Sequence, residues 1–412
     1  MPTKKASTSS SSSRSSRPSR SARSAQPAVA ETTDQRCAES ECILVLQGGG
    51  ALGAYQGGVY EVLRAVHRDP DWVAGVSIGA INAALIAGNP PGKRLERLRE
   101  FWDVVSSPMP AGLAHVLDGD LRGAFNEASA LRGVLFGVPG FFMPRIPPAG
   151  WHPRGTDGAV SHYDTSPLQR TLERLVDFDR INDGPTRLSV GAVNVRTGNF
   201  EYFDSTTRRL DARHIMASGA LPPGFPPVEI DGESYWDGGL VSNTPLQYVL
   251  DQPAERRRVV FQVDLFSALG PVPGTMGEVV AREKDIRFSS RTRLNTTHAL
   301  ERQRLAQAAR RLLDKLPAQL RDDPDVQALA RLHQRRAGMD IVHLIYRSKG
   351  YEGQSKDYEF SRRSMAEHWQ AGVADMTRTL GDPSWRNHDP EADGVHVFDV
   401  PAADEKPGGP QA

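Results

Sequence analysis

Between Cys42 and Ala87 the chain changes its apolar pattern four times. Ile43-Leu44-Val45-Leu46 is a short unbroken apolar run, as in a strand buried on both faces. A glycine cluster follows, and Ala54 to His67 then carries apolar residues at helical spacing. Trp72 to Val76 predicts a second buried strand and Ile78 to Ala87 a second helix. Strand, helix, strand, helix in so short a stretch implies an α/β fold, with a parallel sheet and helices on its faces. Leu188 to Asp204 reads as a hairpin around Arg196-Thr197-Gly198-Asn199, and Arg258 to Phe266 as another buried strand.

These elements place the folded core at residues 42–267. Around it the sequence predicts a Ser/Arg-rich disordered tail over 1–41, a mainly helical C-terminal extension over 268–385 and a flexible tail over 386–412. In the extension, Asp285 to Leu316 has a helical period, Met339 to Tyr346 fits one more strand, and Ser361 to Leu380 fits a helix capped by Ser361 with Trp369 on its apolar side. Ser107 to Gly158, rich in Gly, Pro and apolar residues, reads as a long loop. It is either a surface loop packed by its own side chains or a flap over an apolar substrate.

Charge narrows the function classes. The 412 residues hold 50 basic and 50 acidic side chains, and this balance argues against a dedicated nucleic-acid binder. The first 24 residues carry six basic groups and no acid, which leaves 44 basic against 50 acidic in the rest. The tail could therefore touch an anionic membrane, polyphosphate or nucleic acid by charge alone, while the body is mildly acidic. The tail has no apolar segment of the kind a secretory signal needs. Cys37 and Cys42 make no disulfide framework and have no partner pair for zinc, so the expected setting is reduced and cytoplasmic, with peripheral contact to a membrane or granule left open. The longest apolar stretch, Trp72 to Gly88, is too short and too punctuated by glycine for a membrane span of ~20 residues.

Two motifs carry chemistry. Gly48-Gly49-Gly50-Ala51-Leu52-Gly53 sits directly after a strand, where glycines let backbone N–H groups point at an anion. It fits a dinucleotide fingerprint with Asp69 or Asp71 as its acid, and equally an oxyanion hole. Gly75-Val76-Ser77-Ile78-Gly79 decides between them: it is a G-x-S-x-G elbow in the strand–turn–helix context that thrusts a serine hydroxyl above a sheet. A serine nucleophile needs a base. An α/β-hydrolase triad would draw it from His298, His333, His343, His368 or His388, all in the extension. The alternative is Asp237, followed by Gly238 and Gly239 at the end of an aromatic strand, where a partly desolvated carboxylate can take a hydroxyl proton. The same triplet also fits an ordinary Asp-Gly turn.

Together these blocks resemble the patatin-like phospholipase family. The Gly48-Gly49-Gly50-x-x-Gly53 loop, the Gly75-x-Ser77-x-Gly79 elbow, the Ala217-Ser218 to Pro227 segment and the Asp237-Gly238-Gly239 triplet occur in the family's order. The resemblance implies a three-layer α/β/α fold with a mostly parallel sheet. It also implies a Ser77–Asp237 dyad without histidine, and an oxyanion hole from the N–H groups of Gly48, Gly49 and Gly50. The reaction would be hydrolysis of lipid acyl esters through an acyl-serine intermediate, with no metal or organic cofactor. Members often carry Lys or Arg where this chain has Leu52, so any contact of that side chain with a phosphate head group is missing here. The extension looks like one seen in a subset of bacterial members. Its Asp285–Arg293 segment and Arg-rich helix could sit on an anionic membrane, or form a solvated face with Glu283, Asp285, Glu301 and Asp314 interleaved. A lipid- or granule-binding protein with a weak or dead site is the non-enzymatic alternative.

Overall fold

The computed structural model describes residues 40–107, 120–254, 256–289, 297–298, 301, 304–305, 308–309, 311–320, 323–333, 338–389 and 394–400. The expected tail, up to Glu39, lies outside the described residues. Strand β1 (Glu41–Leu46) leads through the glycine loop and a 3-10 turn (Gly50–Gly53) into helix α1 (Ala54–Ala65). Strand β2 (Trp72–Val76) leads into α2 (Ile78–Ala87) and α3 (Arg94–Val105). Helix α4 (Asp120–Phe136), the short pair β3 (Met143–Pro144) and β4 (Tyr163–Asp164), α5 (Ser166–Leu175) and α6 (Phe178–Asp183) precede β5 (Arg187–Asn194) and β6 (Phe200–Asp204). Then come α7 (Ala212–Ser218), β7 (Val228–Ile230), β8 (Glu233–Asp237), α8 (Leu246–Asp251), β9 (Arg258–Asp264) and α9 (Met276–Ser289). The chain ends its described course with α10 (Pro324–His333), β10 (Met339–Ile345), α11 (Arg362–Gly381), α12 (Pro383–Arg386) and β11 (Val395–Asp399).

One mixed, mostly parallel sheet runs β11-β10-β9-β1-β2-β5-β8-β7, with β6 also paired to β5. Every neighbour from β11 to β5 is parallel, and the pairs β5–β6, β5–β8 and β7–β8 are antiparallel. The unbroken apolar run of β1 has a direct cause. Leu44 and Leu46 enter the main core with residues of α1, α2 and α11, while Ile43 and Val45 face the other way, against Leu246 and Val249 of α8. Helix α2 is buried along its whole length, as a helix apolar on all sides must be. Each of its Ile and Leu side chains contributes roughly 1.5–3 kcal/mol by leaving water.

Two expectations change. The stretch Ser107–Gly158 is not one long loop, because α4 occupies Asp120–Phe136. The strand expected over Met339–Tyr346 is β10; it pairs with β9, and β11 with β10, so the sheet of the core continues into the C-terminal region. Strand β11 falls within the expected flexible tail, where parallel pairing with β10 satisfies its backbone. Of the helix expected over Asp285–Leu316, α9 supplies the start, and residues 290–296 lie outside the described residues.

The C-terminal region is also seated on the core by helix packing. Helix α11, capped by the Ser361 hydroxyl accepting from the Ser364 N–H, lies against α1. A Cβ added at Gly372 would stand 2.1 Å from the Tyr55 carbonyl oxygen, and one at Gly58 would stand 2.0 Å from that of Trp369. The two backbones touch, so a single methyl must push the helices apart. Gly372→Ala is expected to destabilise the fold by about 2–3 kcal/mol in denaturant melts, and an unchanged midpoint would refute this contact.

Candidate active site

The two residues expected to react are brought together by the edge of one strand. Strand β2 pairs with β5 up to Val76 opposite Gly191, while β8, running the other way, pairs with β5 down to Asp237 opposite Ala192. Since β6 occupies the other edge of β5 at Ser189–Val193, β2 and β8 share one edge and meet end to end. Ser77 follows the last residue of β2, and Asp237 is the last residue of β8. The Ser77 Oγ donates a hydrogen bond to Asp237 Oδ2 at 2.7 Å.

The elbow is strained and clamped. Ser77 has φ +56° and ψ −124°, a region costly for any residue with a Cβ. Its amide donates to the Ser218 Oγ at 3.0 Å, and that hydroxyl donates to the Gly191 carbonyl at 2.6 Å, so a side chain of α7 ties the turn to β5. The turn is also tight: Gly75 lies against the Gly79 backbone, and Gly79 against the Leu46 carbonyl. The amides of Ala80 and Ile81 return to the Ser77 carbonyl, whereas that of Ile78 donates to no other described residue. It is one of the unpaired amides at the N-terminus of α2, where the helix carries its positive end.

Asp237 is buried, and its second oxygen, Oδ1, accepts the Gly239 N–H at 2.7 Å. Burial pushes its pKa up to about 6, opposed only in part by the hydrogen bonds from Ser77 and Gly239. Gly238 packs on the Gly191 carbonyl and Val76, which closes the turn onto the end of β2.

The glycine loop borders the same spot. A Cβ at Gly48 would lie 3.0 Å from the Ser77 Cβ. Its three amides, however, are not equivalent. The Gly48 N–H donates to the Asn243 carbonyl at 3.1 Å, and the Asn243 side-chain amide returns a bond to the Gly48 carbonyl at 2.9 Å. This corrects the expectation that Gly48 offers its N–H to an anion: the group is already spent in holding the loop. The amides of Gly49 and Gly50 donate to no other described residue. Gly53 places its carbonyl on the Asn82 side chain, beneath Ile78 and Trp102. Leu52 is fully buried, so its position serves packing.

Sequence reasoning missed Asn243, and it quoted Ser218 within a motif without giving it a task. It also missed the reach of the C-terminal region into this loop. The Asp357 carbonyl accepts the Ala51 N–H at 2.7 Å, directly over Gly50. The segment carrying Asp357 is fixed by the ion pairs Lys284–Asp357 at 2.8 Å and Lys356–Asp285 at 2.6 Å.

No histidine shares the hydrogen bonds of Ser77 or Asp237 among the described residues. His368 binds Glu352 at 2.7 Å and His388 binds Asp340 at 3.0 Å, while His343 lies buried in β10. The acids of the dinucleotide alternative are also engaged elsewhere, Asp69 with Tyr60 and Arg94 and Asp71 with the Cys42 amide. Both precede β2, at the opposite end of the parallel strands from the glycine loop. Among the described residues, no cluster of three His, Cys, Asp or Glu side chains is placed to hold a metal ion, and no helix is long and apolar enough to cross a membrane.

Comparison with known proteins follows this geometry. A family described as patatin-like phospholipase matches residues 44–250, and one described as patatin phospholipase matches residues 286–392. Among solved structures, VipD from Legionella pneumophila is similar over 83% of this chain and 67% of its own, at 15% identity and a TM-score of 0.34. Human GIVD cytosolic phospholipase A2 is similar over 57% of this chain and 45% of its own, at 12% identity and a TM-score of 0.32. No curated protein matches the chain.

Proposed function

The chain belongs to the patatin-like phospholipase family, and on that premise we propose that it hydrolyses lipid acyl esters, with Ser77 as nucleophile and Asp237 as base. The observation that carries this reading is the 2.7 Å hydrogen bond from the Ser77 hydroxyl to a buried carboxylate whose pKa is raised to about 6. Such a carboxylate is ionised at neutral pH yet basic enough to accept a proton in the transition state.

As the Ser77 Oγ bonds to the ester carbonyl carbon, its proton passes to Asp237 Oδ2. The carbonyl oxygen becomes an oxyanion facing the amides of Gly49 and Gly50, with that of Ile78 beside them. Collapse breaks the bond to the alcohol, which leaves with the proton held by Asp237, and an acyl-Ser77 remains. Asp237 then takes a proton from water as the water oxygen attacks the acyl carbon. Return of that proton to Ser77 Oγ releases the fatty acid. Ser218 and Asn243 act as positioning residues, the first for the elbow and the second for the glycine loop.

A fluorophosphonate probe, which bonds to an activated serine, is expected to label the protein and not its Ser77→Ala variant. Equal labelling of both would sink the assignment. Because the acyl group must reach a half-buried hydroxyl, the same probe should react more slowly below pH 6, where Asp237 is protonated.

A further inference from the structure

Helix α4 is built inside out. It buries Arg122, Asn126 and Ala130, and it turns Leu131, Val134, Leu135 and Phe136 to the exterior. The buried end is anchored on the C-terminal region: Arg122 donates to the Ser364 hydroxyl at 2.9 Å and pairs with Glu367 at 3.1 Å. In the segment that follows Ile146 is 92% exposed and Trp151 82%, and Phe136 at the end of α4 is 75% exposed. Large apolar side chains exposed in such number along one stretch of chain mark an interaction surface.

The charges beside this patch define its partner. A cleft of about 580 Å³ opens between α4 and α5, with Arg132, Arg170 and Arg174 set against Phe136, Phe142 and Met143. Arg174 is paired with Glu100, and Arg170 donates to the Ser166 hydroxyl at 3.3 Å. Arg145 and the exposed Arg154 add two more cations to the same segment, against Asp157 and Asp164; Asp164 bonds the Ser166 amide and hydroxyl and also attracts Arg145 and Arg170. Exposed aliphatic and indole side chains on a segment that also carries guanidinium groups, next to a cleft lined by three more, match the interface of a bilayer, where tryptophan sits at head-group level and arginine meets phosphate.

The patch is also joined to the reactive site. The His162 and Tyr163 amides donate to the Pro223 and Gly224 carbonyls, and Phe142, Tyr163 and Phe225 pack ring against ring. The Pro223–Phe225 segment follows Ala220, whose carbonyl accepts the Asp237 N–H at 3.0 Å. We propose that the face formed by the end of α4 and the 143–160 segment docks on an anionic phospholipid surface, with the Arg132–Arg170–Arg174 cleft taking a head-group phosphate. This rests on the acyl-hydrolase reading for its purpose, since it names the physical form in which the substrate is met.

The test uses the full chain carrying Ser77→Ala, so that lipid is not consumed, with vesicles of phosphatidylglycerol and phosphatidylcholine bearing brominated acyl chains. Sedimentation with anionic vesicles and quenching of tryptophan emission are expected. Trp151→Phe should abolish most quenching and keep binding. Ile146→Ser with Trp151→Ser, and separately Arg132→Glu with Arg170→Glu, should each weaken vesicle binding at least about tenfold. Wild-type binding by both double variants would overturn the proposal, because another surface such as the basic tail would then be responsible. So would an absence of sedimentation at low salt, or quenching untouched by Trp151→Phe. In chains that keep Ser77, the same substitutions should leave hydrolysis of a soluble short-chain ester unchanged, and loss of the docking face alone would show only on vesicles. Failure of ester hydrolysis in the parent chain would sink the acyl-hydrolase reading and leave the vesicle result standing by itself.

Discussion

Asp237→Asn is expected to lose turnover of a soluble p-nitrophenyl ester by about 10³-fold while melting at a higher temperature than the parent at pH 8. Both effects come from one carboxylate. Its pKa is raised by burial from an unfolded value near 3.8 to about 6, so folding favours the protonated form. The stabilisation tied to that form is complete below the unfolded value and is lost as pH rises through the folded one. Above pH 6 the native state therefore carries an ionised buried group that costs roughly 3 kcal/mol, taking a two-unit rise. Asparagine is neutral at every pH; its oxygen can still accept the Gly239 amide, and its NH2 can donate to the Ser77 hydroxyl oxygen in place of the lost acceptor. The gain in melting temperature should be present at pH 8 and vanish near pH 4, and a variant that melts lower at pH 8 would refute it. For the parent chain the proposed mechanism predicts that kcat/KM rises with pH and levels off above about 6.

Gly50→Ala is expected to lower kcat by about 10²–10³-fold with a smaller change in KM, the signature of a contact made mainly in the transition state. Gly50 has φ +53°, a conformation that an L side chain adopts at a cost, and its added Cβ would stand 2.0 Å from the Asp357 carbonyl oxygen. The loop must move, and its amides move with it. Asp357→Ala is the control: it keeps the carbonyl and removes only a part-exposed ion pair with Lys284, so kcat should hold and stability should fall by less than about 1 kcal/mol. Equal kcat for Gly50→Ala and the parent would remove Gly50 from the oxyanion site.

What could be read from the chain was what local pattern determines. Strands β1, β2, β9 and β10 announce themselves as apolar runs. The hairpin β5–β6 is marked by its Gly198 turn, and α11 by its Ser361 cap. Helix α4 escaped because its polar residues point inward and its leucines outward, the reverse of the period a sequence search assumes. Strand β11 is five residues long and pairs with a strand more than fifty positions earlier, so nothing local signals it. The elbow, the glycine loop and Asp237 were legible as residue types at fixed spacing. That the Gly48 amide is taken by Asn243, or that Asp357 covers Gly50, is a matter of tertiary contact that spacing does not encode.

Strands β2 and β8 end against adjacent residues of β5, and this makes β5 a ruler. The distance between hydroxyl and carboxylate is set by consecutive rungs on that strand, independent of the 160 positions of contour between Ser77 and Asp237. Apart from β5 itself and the Ser218–Ala220 clamp, the segments strung along that contour, the α4 segment with its outward leucines included, can lengthen, shorten or be exchanged without moving the reacting pair. One added residue within β5 between Gly191 and Ala192 would separate them by about 3.3 Å and turn every following side chain to the opposite face. Such a site is open to new surfaces grafted upon it and closed to change along a single strand.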